Sequence, residues 1–241
     1  MHLTKKIAHI AGAVYLSTLP LALYFWSYVP GKLIVRGNAS ATADNILAHE
    51  SWFRFSIWGD LLDCVVVLCL AFLVYRLLCD VEKTWALAVV GFALLSAAVG
   101  FFSALPNIAA VILFRGGDFL AIFDKPQRDA LAMFFLRLHG QGELMNEIFS
   151  GLWLLPMGLL VFRSGFLPRL LGLWLLIAGL GWLTLSVIGV VFPTYYDRAF
   201  TSVQPIVLGE MAFALWLLFR GVNPRRLPPK GRVAGSLRST E

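Results

Sequence analysis

Long apolar stretches, nearly free of charge, alternate along this chain with short polar ones. The stretches 8–29, 52–78, 85–114, 144–162, 167–192 and 199–219 each run long enough to span a membrane. A helix needs about 20 mostly apolar residues to cross a hydrocarbon core of about 30 Å. The pattern therefore predicts an all-α fold: a polytopic membrane helical bundle of about six transmembrane helices. Trp26, Tyr28, Trp52, Trp85, Tyr195 and Tyr196 stand near the ends of these stretches, where amphipathic rings favour the interface. Pro20, Pro106, Pro156 and Pro205 lie inside them. Each lacks a backbone donor, so each predicts a kink that neighbouring helices must tolerate.

Two linking segments have a pattern of their own. Residues 38–50 read as a loop and a helix start, capped by Thr42 or Asp44 and running straight into the second span. Residues 127–138 place Leu131, Phe134, Phe135 and Leu138 against Arg128, Asp129 and Arg137. They predict a short amphipathic helix before the fourth span, loosened at its end by Gly140 and Gly142. A single helix over 127–162 would be about 54 Å long. Its first part must then lie on the membrane surface or project from it.

Composition sharpens this picture. Of 241 residues, 59% are hydrophobic and 14% charged, against about 25% charged in soluble domains. The net charge of +6 owes much to Arg220, Arg225, Arg226, Lys230, Arg232 and Arg238. Basic residues just past a last span fix orientation and touch anionic lipid headgroups. They are no sign of nucleic-acid binding. The expected organisation is a six-helix transmembrane domain over 1–220 and a basic, disordered cytoplasmic tail over 221–241. Apart from that tail, the basic residues of the loops divide evenly between the two sides. The tail decides, and both termini are expected in the cytoplasm of a cell whose inner (plasma) membrane holds the chain. Lys5 and Lys6 precede the first apolar run as they would in a signal peptide. The run is long enough to span and no A-x-A-like site follows, so a retained first helix is expected.

The informative residues are ionisable groups set inside apolar stretches, where a charge costs at least about 2.5–3.5 kcal/mol near the bilayer centre. On the second span, Glu50 and Arg54 are four apart and can meet on one face. Asp60 and Asp63 share a face deeper in. Around the fourth span, His139, Glu143 and Glu147 recur every four residues, with Asn146 beside them. Asn107 follows Pro106 on the third, and Glu210 lies near the middle of the sixth. Counting along each span puts most of these groups in the outer half of the bilayer, so a polar pocket between the second, fourth and sixth helices is expected. The candidate catalytic residues are Asp60, His139, Glu147 and Glu210. The candidate substrate-binding residues are Arg54, Asp63, Asn107, Glu143 and Asn146. Against this stands the plainer reading that polar groups only hold helices together.

Other chemistry has less support. Cys64, Cys69 and Cys79 form no CxxC pair and read as small apolar side chains. His49, His139 and Glu143 offer zinc-type donors, but no HExxH-like motif accompanies them. No phosphate-binding glycine loop and no GxSxG elbow is present. No metal or cofactor is therefore assigned.

Two stretches resemble a known family. One runs from Tyr28-Val29-Pro30 through Thr42-Ala43-Asp44-Asn45-Ile46 to Glu50-Ser51-Trp52-Phe53-Arg54. The other contains Leu138-His139-Gly140-Gln141-Gly142, Leu154-Leu155-Pro156-Met157-Gly158 and Ser164-Gly165-Phe166-Leu167-Pro168-Arg169. Together they are similar to the bacterial integral membrane family catalogued as domain of unknown function 4386. The resemblance supports the topology and a bacterial origin. It brings no catalytic roles, because that family has no established activity.

Three functions fit these residues. The first is an intramembrane enzyme acting on a lipid or isoprenoid-like substrate, with Glu147 or Asp60 as general acid or base, His139 as proton relay and Glu210 as charge stabiliser. The second is a proton- or ion-coupled small transporter, for which a mid-membrane carboxyl beside a proline is apt. The third is a non-catalytic accessory or sensory subunit. Expected partners are membrane lipids, a lipid-like substrate and further copies of the chain.

Overall fold

A computed structural model describes residues 2–223, apart from the side chains of His2 and Trp26. The tail cations Arg225, Arg226, Lys230, Arg232 and Arg238 lie outside the described residues, as does most of the expected tail. Within them the chain is helical, with six helices long and apolar enough to cross a membrane.

The first span is composite. It comprises α1 (His2–Leu21), a π-helical segment (Ala22–Tyr28) and α2 (Val29–Leu33). Pro20 lies one residue before α1 gives way to the wider winding, where a missing donor favours a change of hydrogen-bond register. Helices α4 (Glu50–Leu78), α5 (Lys83–Arg115), α6 (Lys125–Ser164), α7 (Arg169–Val191) and α8 (Tyr196–Phe219) make the other five spans. Helices α5, α6 and α8 continue through Pro106, Pro156 and Pro205.

Two expectations about the linking segments are corrected. Residues Ala39–Ala48 form a separate helix, α3, which does not run into the second span. Its N-cap is Asn38, whose side chain accepts from Ala41 N at 2.9 Å. Thr42 is instead buried and tied to the backbone of Val35 and Asn38. His49, between α3 and α4, breaks the helical path. The stretch 127–138 is not a separate amphipathic helix either. It belongs to α6, a single helix of 40 residues started by an Asp124–Gln127 capping box. Of the two glycines expected to loosen it, Gly142 sits where α6 is pressed against α5, and a Cβ there would come within 2.3 Å of Ser103 Oγ; a Cβ on Gly140 would meet nothing within 4 Å. Packing thus holds a helix that local propensity alone would weaken.

The spans pack in sequence order, each against the next, and the first closes on the last. The result is a ring of six helices. Small residues make its tightest seams. Gly151 and Gly158 of α6 face Gly179 and Gly172 of α7, and a Cβ on Gly172 would lie 2.5 Å from Phe162 N and 2.7 Å from Gly158 O. Without a hydrophobic drive between helices in lipid, such close backbone approach supplies the packing energy. At the closing seam a Cβ on Gly12 of α1 would lie 2.4 Å from Leu218 N of α8. There His9 Nδ1 also meets Leu218 O at 2.5 Å. The N-terminus of α1 and the C-terminal end of α8 therefore share one end of the ring.

Two apolar cores result. The larger joins α1, α4, α5, α6, α7 and α8 at that terminal end, around Leu70, Leu78, Leu154, Leu160, Leu175 and Leu217. The smaller lies at the opposite end and joins α2, α3 and the near parts of α4, α5 and α6 through Leu33, Ile46, Phe53, Val111 and Leu136. At 1.5 Å per residue, α5 and α6 are roughly 50 and 60 Å long, well beyond the hydrocarbon thickness. Their excess forms a cap around the smaller core. Asp129 pins that cap: it is 2% exposed and accepts from Lys125 at 2.9 Å and from Ser40 of α3 at 3.2 Å. Asp129→Ala should cost about 1–2 kcal/mol and speed hydrogen exchange of the α3 amides. Unchanged exchange in α3 would remove Asp129 from that role.

Candidate functional site

Between the two cores lies a layer of polar side chains, and inside the ring a cavity of about 830 Å³. All six spans line it. Asp63 comes from α4, Ser96 from α5, Trp182 from α7, and Glu143, Asn146 and Glu147 from α6. Tyr15 comes from α1, and Tyr196, Gln204 and Glu210 from α8. A chamber of about 20 Å³ adjoins it, sharing Asp63, Ser96, Glu143 and Asn146 and adding Asp60, Cys64 and Gly100. It has room for about one water molecule.

The carboxyls are held in different ways. Glu210 accepts from Tyr15 Oη at 2.5 Å and from Trp182 Nε1 at 2.6 Å, so both its oxygens have donors. Glu147 accepts from Tyr196 Oη through Oε1. Its Oε2 is buried and has no hydrogen-bond partner among the described residues. The same is true of Asp63 Oδ1. Asn146 accepts from Ser96 Oγ at 2.9 Å, which ties α6 to α5 beside the chamber.

Not every expected site residue reaches this layer's interior. Asp63, Glu143, Asn146, Glu147 and Glu210 line the large cavity and Asp60 lines the small chamber. His139 lines neither; its Nδ1 meets Ser103 O of α5 at 2.7 Å. Asn107 is buried but lines neither space. Arg54 is paired at the cap end with Glu50 at 2.5 Å, and Arg115 donates to the same carboxyl at 2.7 Å. Arg137 is exposed and does not enter the cavity. Among the described residues no group of three or more His, Cys, Asp or Glu is arranged to hold a metal ion.

Three aromatic residues are additions to the expected set. Tyr15 and Trp182 hold Glu210, and Tyr196, expected only at an interface, holds Glu147. A buried Tyr or Trp needs a partner for its polar tip. A phenol at position 15, far inside an apolar run, was the available signal.

Helix ring, polar layer and cavity together define a multi-pass helical membrane protein with a carboxyl-lined interior. The chain belongs to the family described as domain of unknown function (DUF4386), whose model matches residues 10–221. No curated protein and no solved structure matches the chain.

Proposed function

We propose that this protein is a proton-coupled carrier of lipophilic organic cations. The observation that supports this reading most is the charge of the cavity wall. Among the described residues its lining holds Asp63, Glu143, Glu147 and Glu210 and no Lys, Arg or His. Such a wall repels phosphate-bearing lipids and isoprenoid diphosphates, which need basic partners. It attracts cations, and the rings of Tyr15, Trp153, Trp182, Tyr196 and Phe200 on the same wall suit an apolar organic cation. The volume is that of a small-molecule site. Carboxyls that can exchange a proton for the cation give the coupling. In this reading both termini face the cytoplasm of the inner membrane and the cap faces outward.

The test uses proteoliposomes and tetraphenylphosphonium. A pH gradient is expected to drive its accumulation, and a protonophore to abolish it. The size-matched anion tetraphenylborate should show no protein-dependent flux. Absence of gradient-driven flux in liposomes holding folded protein overturns the proposal.

A second reading keeps the intramembrane enzyme, acting on an uncharged lipid-like substrate. It is favoured by the unpartnered Glu147 Oε2, the kind of oxygen a general base needs. Accumulation of one lipid in a deletion strain, restored by the wild-type chain and not by a stable Glu147→Gln protein, would support it.

A further inference from the structure

The ring does not close along its whole height. At the terminal end α1 and α8 are in backbone contact at Gly12. Among the described residues, the hydrogen bond between them that lies farther from that end is the one from Tyr15 to Glu210. Beyond it the two helices follow different neighbours. The π-helical continuation of α1 leans on α4, where Phe25 covers Gly59 and meets Phe55 with ring centroids 5.4 Å apart. The other half of α8 is held by α7 and α6. Trp174 donates to Ile206 O at 2.9 Å, a Cβ on Gly181 would reach Val203 at 2.9 Å, and Tyr196 bonds Glu147.

Beyond Tyr15 and Glu210, exposed residues of the first and last spans line the cavity, so its opening lies in a cleft between α1 and α8. Exposed apolar side chains stand on its rim, Leu19 and Leu23 on one side and Phe200 and Leu208 on the other. All four also line the cavity. Leu19 of α1 and Leu23 of the π-helical segment stand about one and two turns past Tyr15, within the first span. An apolar rim at that height faces hydrocarbon, since water would leave these side chains unfavourably hydrated.

We infer that the cavity exchanges its ligand with the lipid phase through the cleft between α1 and α8. The ligand is then an amphiphile whose hydrocarbon chain lies in the cleft while its cationic head meets Glu147 and Glu210. This deepens the carrier reading and rests on it for the charge of the head. The route for the chain stands on the geometry of the cleft.

The experiment isolates the route by adding no cation. The full chain is placed in phosphatidylcholine nanodiscs holding a trace of an uncharged long-chain alcohol with a diazirine at its chain end. After photolysis, adducts are mapped by mass spectrometry. Adducts are expected on Trp153, Trp182 or Met211 inside the cavity, as well as on the outward-facing Phe72 and Leu180. In Leu23→Trp/Leu208→Trp protein, bulk fills the mouth. Adducts inside should fall at least fivefold while those on Phe72 and Leu180 persist, which also shows that the variant is folded. Labelling confined to Phe72 and Leu180 in the wild-type protein overturns the inference. So does interior labelling that the double variant leaves unchanged. A lipid chain found inside while tetraphenylphosphonium fails to move would sink the carrier reading alone.

Discussion

Glu210→Gln is expected to leave a folded protein that has lost cation binding, whereas Glu210→Ala should lose both. Glu210 takes hydrogen bonds from Tyr15 and Trp182, one to each oxygen. Alanine removes the acceptor of both and leaves two donors without a partner. Each lost bond to a charged acceptor is worth about 1.5–3 kcal/mol, which is a large share of the stability of most domains. Glutamine keeps an oxygen for one donor and the volume of the side chain, and removes the charge. Tetraphenylphosphonium affinity should therefore fall at least tenfold in both variants, while the thermal midpoint in detergent falls steeply only in the alanine form. Adding Tyr15→Phe should bring back part of the stability of Glu210→Ala, because the orphaned hydroxyl goes with it. Equal cation affinity in wild-type and glutamine proteins would show that the charge of Glu210 does not serve binding.

The largest structural effect is expected at Gly172. A leucine there would place its Cβ against the backbone of Phe162 and Gly158, at 2.5 and 2.7 Å. Backbone cannot move aside as the end of a flexible side chain can. The cost should reach about 3 kcal/mol or more, seen as aggregation on size exclusion and a lowered thermal midpoint. Gly91, whose added Cβ would meet nothing within 4 Å, is the matched control, and Gly91→Leu should not destabilise the protein. A Gly172→Leu protein as stable as this control would mean that α6 and α7 can part at little cost.

The spans could be read from the sequence because lipid enforces them. Every backbone donor must be met within the segment, so apolar length translates directly into helix. The cap could not be read in the same way. Its helix α3 is only ten residues long and is stabilised by contacts such as Ser40 with Asp129, 89 positions away. Propensity near Thr42 and Asp44 was a poor guide to where it begins. The unity of α6 was equally hidden, since Gly140 and Gly142 suggest a break, and the close approach of Ser103 to Gly142 is visible only in the packed bundle.

The candidate site was legible in its carboxyls and not in their partners. Glu143, Glu147 and Glu210 stand out because a carboxyl in an apolar run has few explanations. Tyr15 and Trp182 do not, because the same residues fill ordinary spans. His139 shows the opposite error. Spacing by four put it on the stripe with Glu143 and Glu147, and it does follow the helix as expected. Its ring, however, is engaged by the carbonyl of Ser103 on the neighbouring helix. Helical periodicity gives a side chain its direction and says nothing of what the next helix offers it.

The continuity of α6 has a practical consequence. It passes from the cap through the polar layer to the terminal end as one rod of 40 residues. A rigid marker protein spliced by helix fusion onto its start at Lys125 would inherit the orientation of the whole bundle, with no hinge between them. For electron cryomicroscopy of so small a membrane protein, that rod is a ready handle for aligning particles that detergent would otherwise make featureless.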